Sequence, residues 1–361
     1  MIHFVIGTKA QLIKMAPVMC ALRDSGVEYN YISTGQHRDT MDEILSNFDL
    51  RGPDRTLYSG ADIVSIPSMF LWALRILWIT AFRRRDVFLE DKKGVVLVHG
   101  DTFSTLLGAI MAKLGGLSVG HVESGLRSFN LFHPFPEELT RLAVFRLSDV
   151  MFCPDENAKL NLEKYSGRKV VTQGNTLKDS LRNVLNRISE SDSLETPAAF
   201  GIVTLHRFEN LRNRAALLRV VELVEEVANY HKLLFILHKP TERKLNRFGF
   251  YQRLKDNPNI ELRPRYDYLD FMRLTAKSSF VVSDGGSNQE ECSYLGKPIL
   301  LLRNATERQE GLGRNCLLSG YDVSKVVQFA RDIERYKVAP ATSEAHPSLE
   351  IAQYCISRFT E

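Results

Sequence analysis

Short runs rich in Val and Ile alternate along this chain with longer stretches of helical period, and that alternation limits its fold more than any other feature. Strands are expected at 2–7, 29–34, 95–99, 118–122, 150–153 and 169–173, and again at 199–205, 233–237, 260–263, 279–283, 298–302 and 315–318. Strands separated by helices pair in parallel, because the crossover returns the chain to the same end of the sheet. Two such series predict an α/β protein of two Rossmann-like domains, each with ligand-binding loops at the carboxyl ends of its strands. A length of 361 residues, more than one core usually serves, agrees with this. Between the series, "TQGNTLKDSLRNVLNRISESDSLETPAA" passes from a helix into a polar stretch. A first domain of 1–178 and a second of 179–345 are expected, and the residues alone leave open which of them carries the final amphipathic segment, "SLEIAQYCISRF", within 346–361.

A formal charge of +4, with both signs interspersed, argues against nucleic acid as a partner and leaves a small anionic ligand compatible. Five scattered cysteines without a CxxC pair suggest neither a disulfide framework nor a zinc site, and no metal is expected. Reduced thiols and a first strand in place of a signal peptide predict a cytoplasmic protein. The segment "MFLWALRILWITAFRRR" is interrupted by Arg75 and is shorter than the roughly 18–20 apolar residues that span a bilayer. It reads as a buried or half-buried helix. The alternative is a surface helix in 69–85 that touches membrane or a partner through Trp72, Trp78 and Arg83 to Arg85.

Candidate chemistry gathers at the strand ends. The first strand stops at Gly7-Thr8 and a helix follows, offering backbone N–H groups to an anion, with Lys9 and Lys14 adding charge. Asp101 follows the strand 95–99 and reads either as a helix N-cap or as a site acid. Glu123 ends the next strand at the same rim, and capping explains two such acids less well than one. In "HPFPEELTR", Pro136 suits a first helical turn and Glu137 and Glu138 its positive end. Glu138 reads as structural, while Glu137 stays open between the two roles. In the second series His206 and Arg207 follow a strand, with His238 one strand later. "VVSDGGSNQEE" ends its strand at Asp284. Gly285 and Gly286 allow close backbone approach, Ser287 and Asn288 open a helix whose amides suit phosphate, and Glu291 suits ribose hydroxyls. Arg303, Thr306 and Arg308 follow the next strand.

Taken in order, "GTKAQLIKMAPV", "GQHRDTMDEIL", "HGDTFSTLLGA", "GHVESGLRS", "PFPEE", "GNT", "TLHRFEN", "YLDFMRL", "DGGSNQEE", "LGKP" and "TERQEG" make nearly the whole chain resemble the UDP-N-acetylglucosamine 2-epimerase family, in its non-hydrolysing form. The resemblance implies a glycosyltransferase-B-like pair of domains facing a central cleft, a homodimer, and a last helix that packs back on the first domain. It implies interconversion of UDP-N-acetylglucosamine and UDP-N-acetylmannosamine without a cofactor, through loss of UDP, a 2-acetamidoglucal intermediate and re-addition, in the service of a surface polysaccharide. Carried onto this chain, the catalytic residues are Asp101, Glu123, Glu137 and His206, with Glu123 and Glu137 as acid and base. Lys9, Lys14, Arg127 and Arg207 contact substrate or position the acids. Phe271 falls at the uracil, which the family holds largely through backbone, Gly285, Gly286 and Ser287 at the diphosphate, Glu291 at the ribose and Arg308 in the same crevice. Gln36, His37 and His238 are the candidates for a second nucleotide.

Two departures bear on the substrate. The family's "GTRPE" is here "GTKAQ", so Lys9 and Gln11 replace an arginine and a glutamate, and "DSGG" is here "DGGS". A 2-epimerase of a related UDP-acetamido sugar (a uronic acid or deoxy sugar), a hydrolysing 2-epimerase and a glycosyltransferase of the same fold remain the alternatives.

Overall fold

A computed structural model describes residues 1–36, 41–60, 63, 66–131, 136–187, 195–306, 308–340 and 344–360. His37, the stretch 132–135 and the linker stretch 188–194 lie outside the described residues. The chain divides into two compact units, Met1–Val184 with Glu344–Glu361, and Leu185–Ser343.

The first unit runs β1 (Ile2–Ile6), α1 (Lys9–Asp24), β2 (Tyr29–Ser33), α2 (Met41–Asn47), β3 (Arg55–Thr56), α3 (Ile66–Phe82), α4 (Arg84–Val87), β4 (Val95–His99), α5 (Phe103–Gly115), β5 (Ser118–Val122), α6 (Glu137–Leu147), β6 (Val150–Cys153), α7 (Glu156–Leu160), β7 (Arg168–Val171) and α8 (Leu177–Leu185). The second runs β8 (Gly201–Leu205), α9 (Phe208–Leu211), α10 (Arg214–Ala228), β9 (Leu233–Leu237), α11 (Lys239–Phe248), α12 (Phe250–Lys255), β10 (Ile260–Pro264), α13 (Tyr268–Lys277), β11 (Phe280–Ser283), α14 (Gly286–Leu295), β12 (Ile299–Leu301), β13 (Cys316–Leu318) and α15 (Val323–Arg331). The last helix, α16 (Pro347–Phe359), packs on α1. The N-terminal ammonium donates to the Phe359 carbonyl at 3.0 Å, and the Ser348 N–H to Asp179 at 2.8 Å.

Both sheets are parallel, in the orders β3-β2-β1-β4-β5-β6-β7 and β10-β9-β8-β11-β12-β13. All the expected strands form, and the first sheet gains the two-residue edge strand β3, too short to leave a periodic signal. Strands such as Ile2–Ile6 and Leu233–Leu237 are buried along their length, as helices on both faces of a parallel sheet require. In each sheet the strand order reverses, between β1 and β4 and between β8 and β11. Crevices open at such reversals, beyond the carboxyl ends of the strands, and the loops after these four strands hold Thr8, Asp101, His206 and Asp284.

The apolar segment at 69–85 forms α3 and the start of α4. Trp72 and Ile76 join the core with Val96 and Val98 of β4, and the Trp72 indole N–H donates to the Thr34 carbonyl at 2.9 Å. The alternative reading sets Trp72 with Trp78 on a contact face. Trp72 is instead a core residue, because it lies on the side of α3 turned to the sheet. No helix among the described residues is long and apolar enough to cross a membrane.

Candidate functional site

The turn after β1 differs from the anion site expected there. Thr8 caps α1 and forms a capping box with Gln11, whose Oε1 accepts from the N–H groups of Gly7 at 2.9 Å and Thr8 at 3.1 Å. Gln11 Nε2 donates to the His99 carbonyl and to Thr105 Oγ1, each at 3.0 Å. Two amides expected to face an anion are therefore engaged by a buried side chain. Lys9 begins α1 half-buried, and Lys14 lies one turn further on, buried.

Lys14 reaches across to β5. Its Nζ pairs with Glu123 Oε2, and Asn175 Nδ2, from the loop after β7, donates to the same oxygen. The Nε2 of buried His99, the last residue of β4, stands 3.3 Å from it. Glu123 has φ of +62°, a left-handed conformation that costs a non-glycine residue roughly 1 kcal/mol or more. Three nitrogen-bearing side chains from three separate elements thus converge on one oxygen of a carboxylate held in a strained turn.

Asp101 is not the helix cap. Thr102 fills that role for α5, its side chain accepting from the Thr105 N–H, and Asp101 instead pairs with Arg141 Nη2 from α6. Arg141 Nη1 lies 3.2 Å from Glu138 Oε2. Glu138 is fully buried and also takes Arg127 Nε and the Ser128 N–H. Burial alone would raise the Glu138 carboxyl. Hydrogen bonds from Arg127, Ser128 and Arg141 outweigh it and hold the group below its usual range. The Arg127 guanidinium, stacked 4.7 Å from the Phe129 ring centre, thereby positions Glu138. Glu137, the first residue of α6, is half-buried, and its shielded Oε2 has no hydrogen-bond partner among the described residues. Gln36 accepts from Ser104 Oγ at 2.6 Å.

In the second unit, buried Asp284 organises the loop after β8. It accepts from the backbone N–H groups of His206 and Arg207, each at 3.0 Å, and from Asn210 Nδ2. His206 Nδ1 is 3.4 Å from Asp284 Oδ1, and its ring lies 5.2 Å from that of His238. A methyl group at Gly285 would fall 2.9 Å from His206 Cε1 and 2.6 Å from Asn288 Oδ1, so glycine lets the imidazole sit over the start of α14. Gly286 and Ser287 form the first turn of that helix, one residue earlier than expected.

Glu291 is buried and held by Asn288 Nδ2 at 3.1 Å. Beside it, the Tyr268 hydroxyl is pushed well above its usual value by burial and then by the Glu291 carboxylate. Arg308 pairs with buried Glu290 at 2.7 Å. Gln289 ties down the loop around Arg308 through the carbonyls of Arg308 and Glu310. Phe271 lies within α13, where its N–H bonds to the Asp267 carbonyl and its carbonyl accepts from Thr275 Oγ1, and its ring is half-buried.

Sequence reading passed over His99, Arg141 and Asn175. Each left a trace: "HGD" and "GNT" lie among the motifs, and Arg141 follows Glu138 by one helical turn.

The family model for UDP-N-acetylglucosamine 2-epimerase matches residues 21–348. The UDP-N-acetylglucosamine 2-epimerase of Bacillus subtilis (strain 168) is 32% identical over 348 residues, covering 91% of this chain and 86% of its own. That of Methanocaldococcus jannaschii is 32% identical over 336 residues, covering 88% of each. The crystal structure of the M. jannaschii enzyme in complex with UDP-GlcNAc and UDP matches with a TM-score of 0.81 at 26% identity, over 99% of both chains. The Neisseria meningitidis enzyme bound to UDP-GlcNAc matches with a TM-score of 0.79 at 29% identity, over 99% of this chain and 98% of that one. With both sheets, the turns after β4, β5 and β8 and this likeness in agreement, the chain belongs to the UDP-N-acetylglucosamine 2-epimerase family.

Proposed function

We propose that this protein interconverts UDP-N-acetylglucosamine and UDP-N-acetylmannosamine by eliminating UDP, returning a proton to the opposite face of C2 and adding UDP back at C1. The observation that carries the reading is Glu123, fixed in a left-handed turn by Lys14 and Asn175, with His99 Nε2 3.3 Å away. A carboxylate so held has a set direction, as a proton-transfer group requires.

The hydrogen on C2 of the sugar has no neighbouring carbonyl to acidify it. Cleavage of the anomeric C–O bond must lead, so that the oxocarbenium character of the ring makes that proton removable. The bonding electrons leave with UDP, the C2–H electrons form the glycal double bond, and the proton passes to a carboxylate. Return of a proton to the other face of C2 and of UDP to C1 completes the reaction, which is redox-neutral. Glu123 and Glu137 are the proposed acid and base, on two elements whose carboxylates are differently held. Asp101, anchored by Arg141, is the supporting acid. His206 and the first turn of α14 are proposed to receive the diphosphate, where a helix start favours negative charge. Glu291 is proposed for the ribose and Phe271 for the uracil.

The Gln11 departure does not argue for a different sugar, since its side chain is engaged inside the first unit. We also propose the homodimer and the supply of N-acetylmannosamine units to a surface polysaccharide. Proton NMR in deuterated water with UDP-N-acetylglucosamine alone tests the reaction. Deuterium at C2 with appearance of the manno isomer supports it. Free N-acetylmannosamine with UDP would mean hydrolysis, and absence of exchange with every acetamido sugar nucleotide would end the epimerase reading.

A further inference from the structure

Tyr321, one residue before the Asp322 cap of α15, holds a backbone conformation that its side chain disfavours. Its φ is +62°, directly after Gly320 at +58°, and a bulky residue in the left-handed region is an outlier that its surroundings must enforce. They do so from three sides. The Tyr321 N–H donates to Ser319 Oγ at 3.1 Å, and Ser319 Oγ donates to the Leu301 carbonyl at 2.8 Å, which pins the turn to the end of β12. The ring packs on the core around α10, and the guanidinium of exposed Arg219 on that helix lies 3.7 Å from its centre. The hydroxyl donates to Asn210 Oδ1 at 2.7 Å, across 111 residues of chain. Burial pushes that hydroxyl above its ordinary value of 10, so it keeps its proton at neutral pH.

We propose that Tyr321 is a positioning residue for the loop that carries His206, acting through Asn210 and Asp284; the inference rests on the diphosphate role proposed above for His206. Asn210 is fully buried and has one amide to divide. Its Oδ1 takes the Tyr321 hydroxyl, and its Nδ2 donates to Asp284 Oδ2 at 3.0 Å and to the Leu302 carbonyl at 3.1 Å. Reversing that amide would set its oxygen against a carboxylate and a carbonyl, so the hydroxyl and the carboxylate select the same orientation. With Oδ2 anchored, Asp284 turns Oδ1 to the His206 N–H at 3.0 Å and to His206 Nδ1 at 3.4 Å, while Oδ2 also takes the Arg207 N–H. Tyr321 thus secures the far end of a hydrogen-bonded series whose near end is the imidazole over α14. Glycine would fit this backbone without strain, but it has no hydroxyl for Asn210.

UDP titrated into the full chain by calorimetry, with C2 exchange followed by NMR, tests it. Tyr321→Phe removes only the hydroxyl and keeps the ring, its stack with Arg219 and the backbone. UDP affinity and turnover should each fall about three- to tenfold, the worth of a neutral hydrogen bond, at a melting temperature close to that of the wild type. In a His206→Ala background the same substitution should change UDP affinity by less than about twofold, since its effect passes through the imidazole. Wild-type UDP affinity in Tyr321→Phe would overturn the inference. So would an equal loss with and without His206, which would make the hydroxyl a support of the fold alone. Unchanged UDP affinity in His206→Ala is a separate result: it would remove His206 from the diphosphate site, and the inference with it.

Discussion

His99 Nε2 stands 3.3 Å from Glu123 Oε2, which brings together side chains at the ends of two adjacent strands. With Lys14 and Asn175 on the same oxygen, Glu123 is constrained more tightly than an acid serving only as a surface charge. Replacing it by Gln should lower C2 exchange by about 10²–10⁴-fold, the usual worth of a positioned proton-transfer group, and leave UDP affinity within a few-fold. Exchange followed by NMR, with UDP titrated by calorimetry, checks this. Turnover at the wild-type rate would remove Glu123 from the chemistry.

Glu138 makes the opposite prediction. Its ionised form is stabilised in the folded state by Arg127, Ser128 and Arg141 against the cost of burial, so its folded value lies below the ordinary 4.5. The stabilisation is complete above that ordinary value and disappears as pH falls through the lower folded one. Glu138→Gln should cost about 1.5–3 kcal/mol at neutral pH, the range for hydrogen bonds to a charged group, and its deficit should shrink in acid. Urea denaturation of both proteins across pH 3–7 reads this directly (about four units around the carboxylate range).

His121 gives a second pH signature. Its Nε2 meets the Gly100 carbonyl at 2.8 Å, and burial, only partly offset by that bond, pushes the ring down from 6.5 to about 4. An unfolded chain therefore takes up this proton first. Stability is complete above about 6.5 and falls as pH drops toward about 4, by up to roughly 3 kcal/mol. In His121→Phe that part of the pH dependence should vanish. An NMR titration of the imidazole with a midpoint near 6.5 would contradict the assignment.

Gly285→Ala tests the loop after β11. The new methyl group must displace the His206 ring or the Asn288 amide. The fold should survive with a melting temperature within a few degrees (under about 1 kcal/mol), while UDP affinity falls about tenfold or more (about 1.4 kcal/mol). Unchanged UDP binding would show that the geometry of His206 over α14 is unimportant to the diphosphate.

Much of this was legible beforehand. The Val- and Ile-rich runs located the strands because a parallel sheet buries them on both faces, and the motifs placed Asp101, Glu123, His206 and Asp284 at strand ends. The partners of these residues were not legible. Lys14 meets Glu123 across 109 residues of chain, and Asn210 meets Asp284 across 74. Gln11 shows the same limit from the other side: at the head of a helix it looked like a neighbour of the ligand, but the approach of β4 and α5 turns its amide inward.

Composition and periodicity by themselves determined two parallel α/β sheets and which loops stand at the ends of strands, since burial patterns are local along a strand or helix. Only the tertiary structure decided that Trp72 is core while Trp78 is surface, that Thr102 and not Asp101 caps α5, and that Arg141 ties Asp101 to Glu138. The physical reason is strand order. Which strand ends become neighbours, and which face of a helix meets the sheet, follows from pairing between distant segments, and side-chain partnership follows from that.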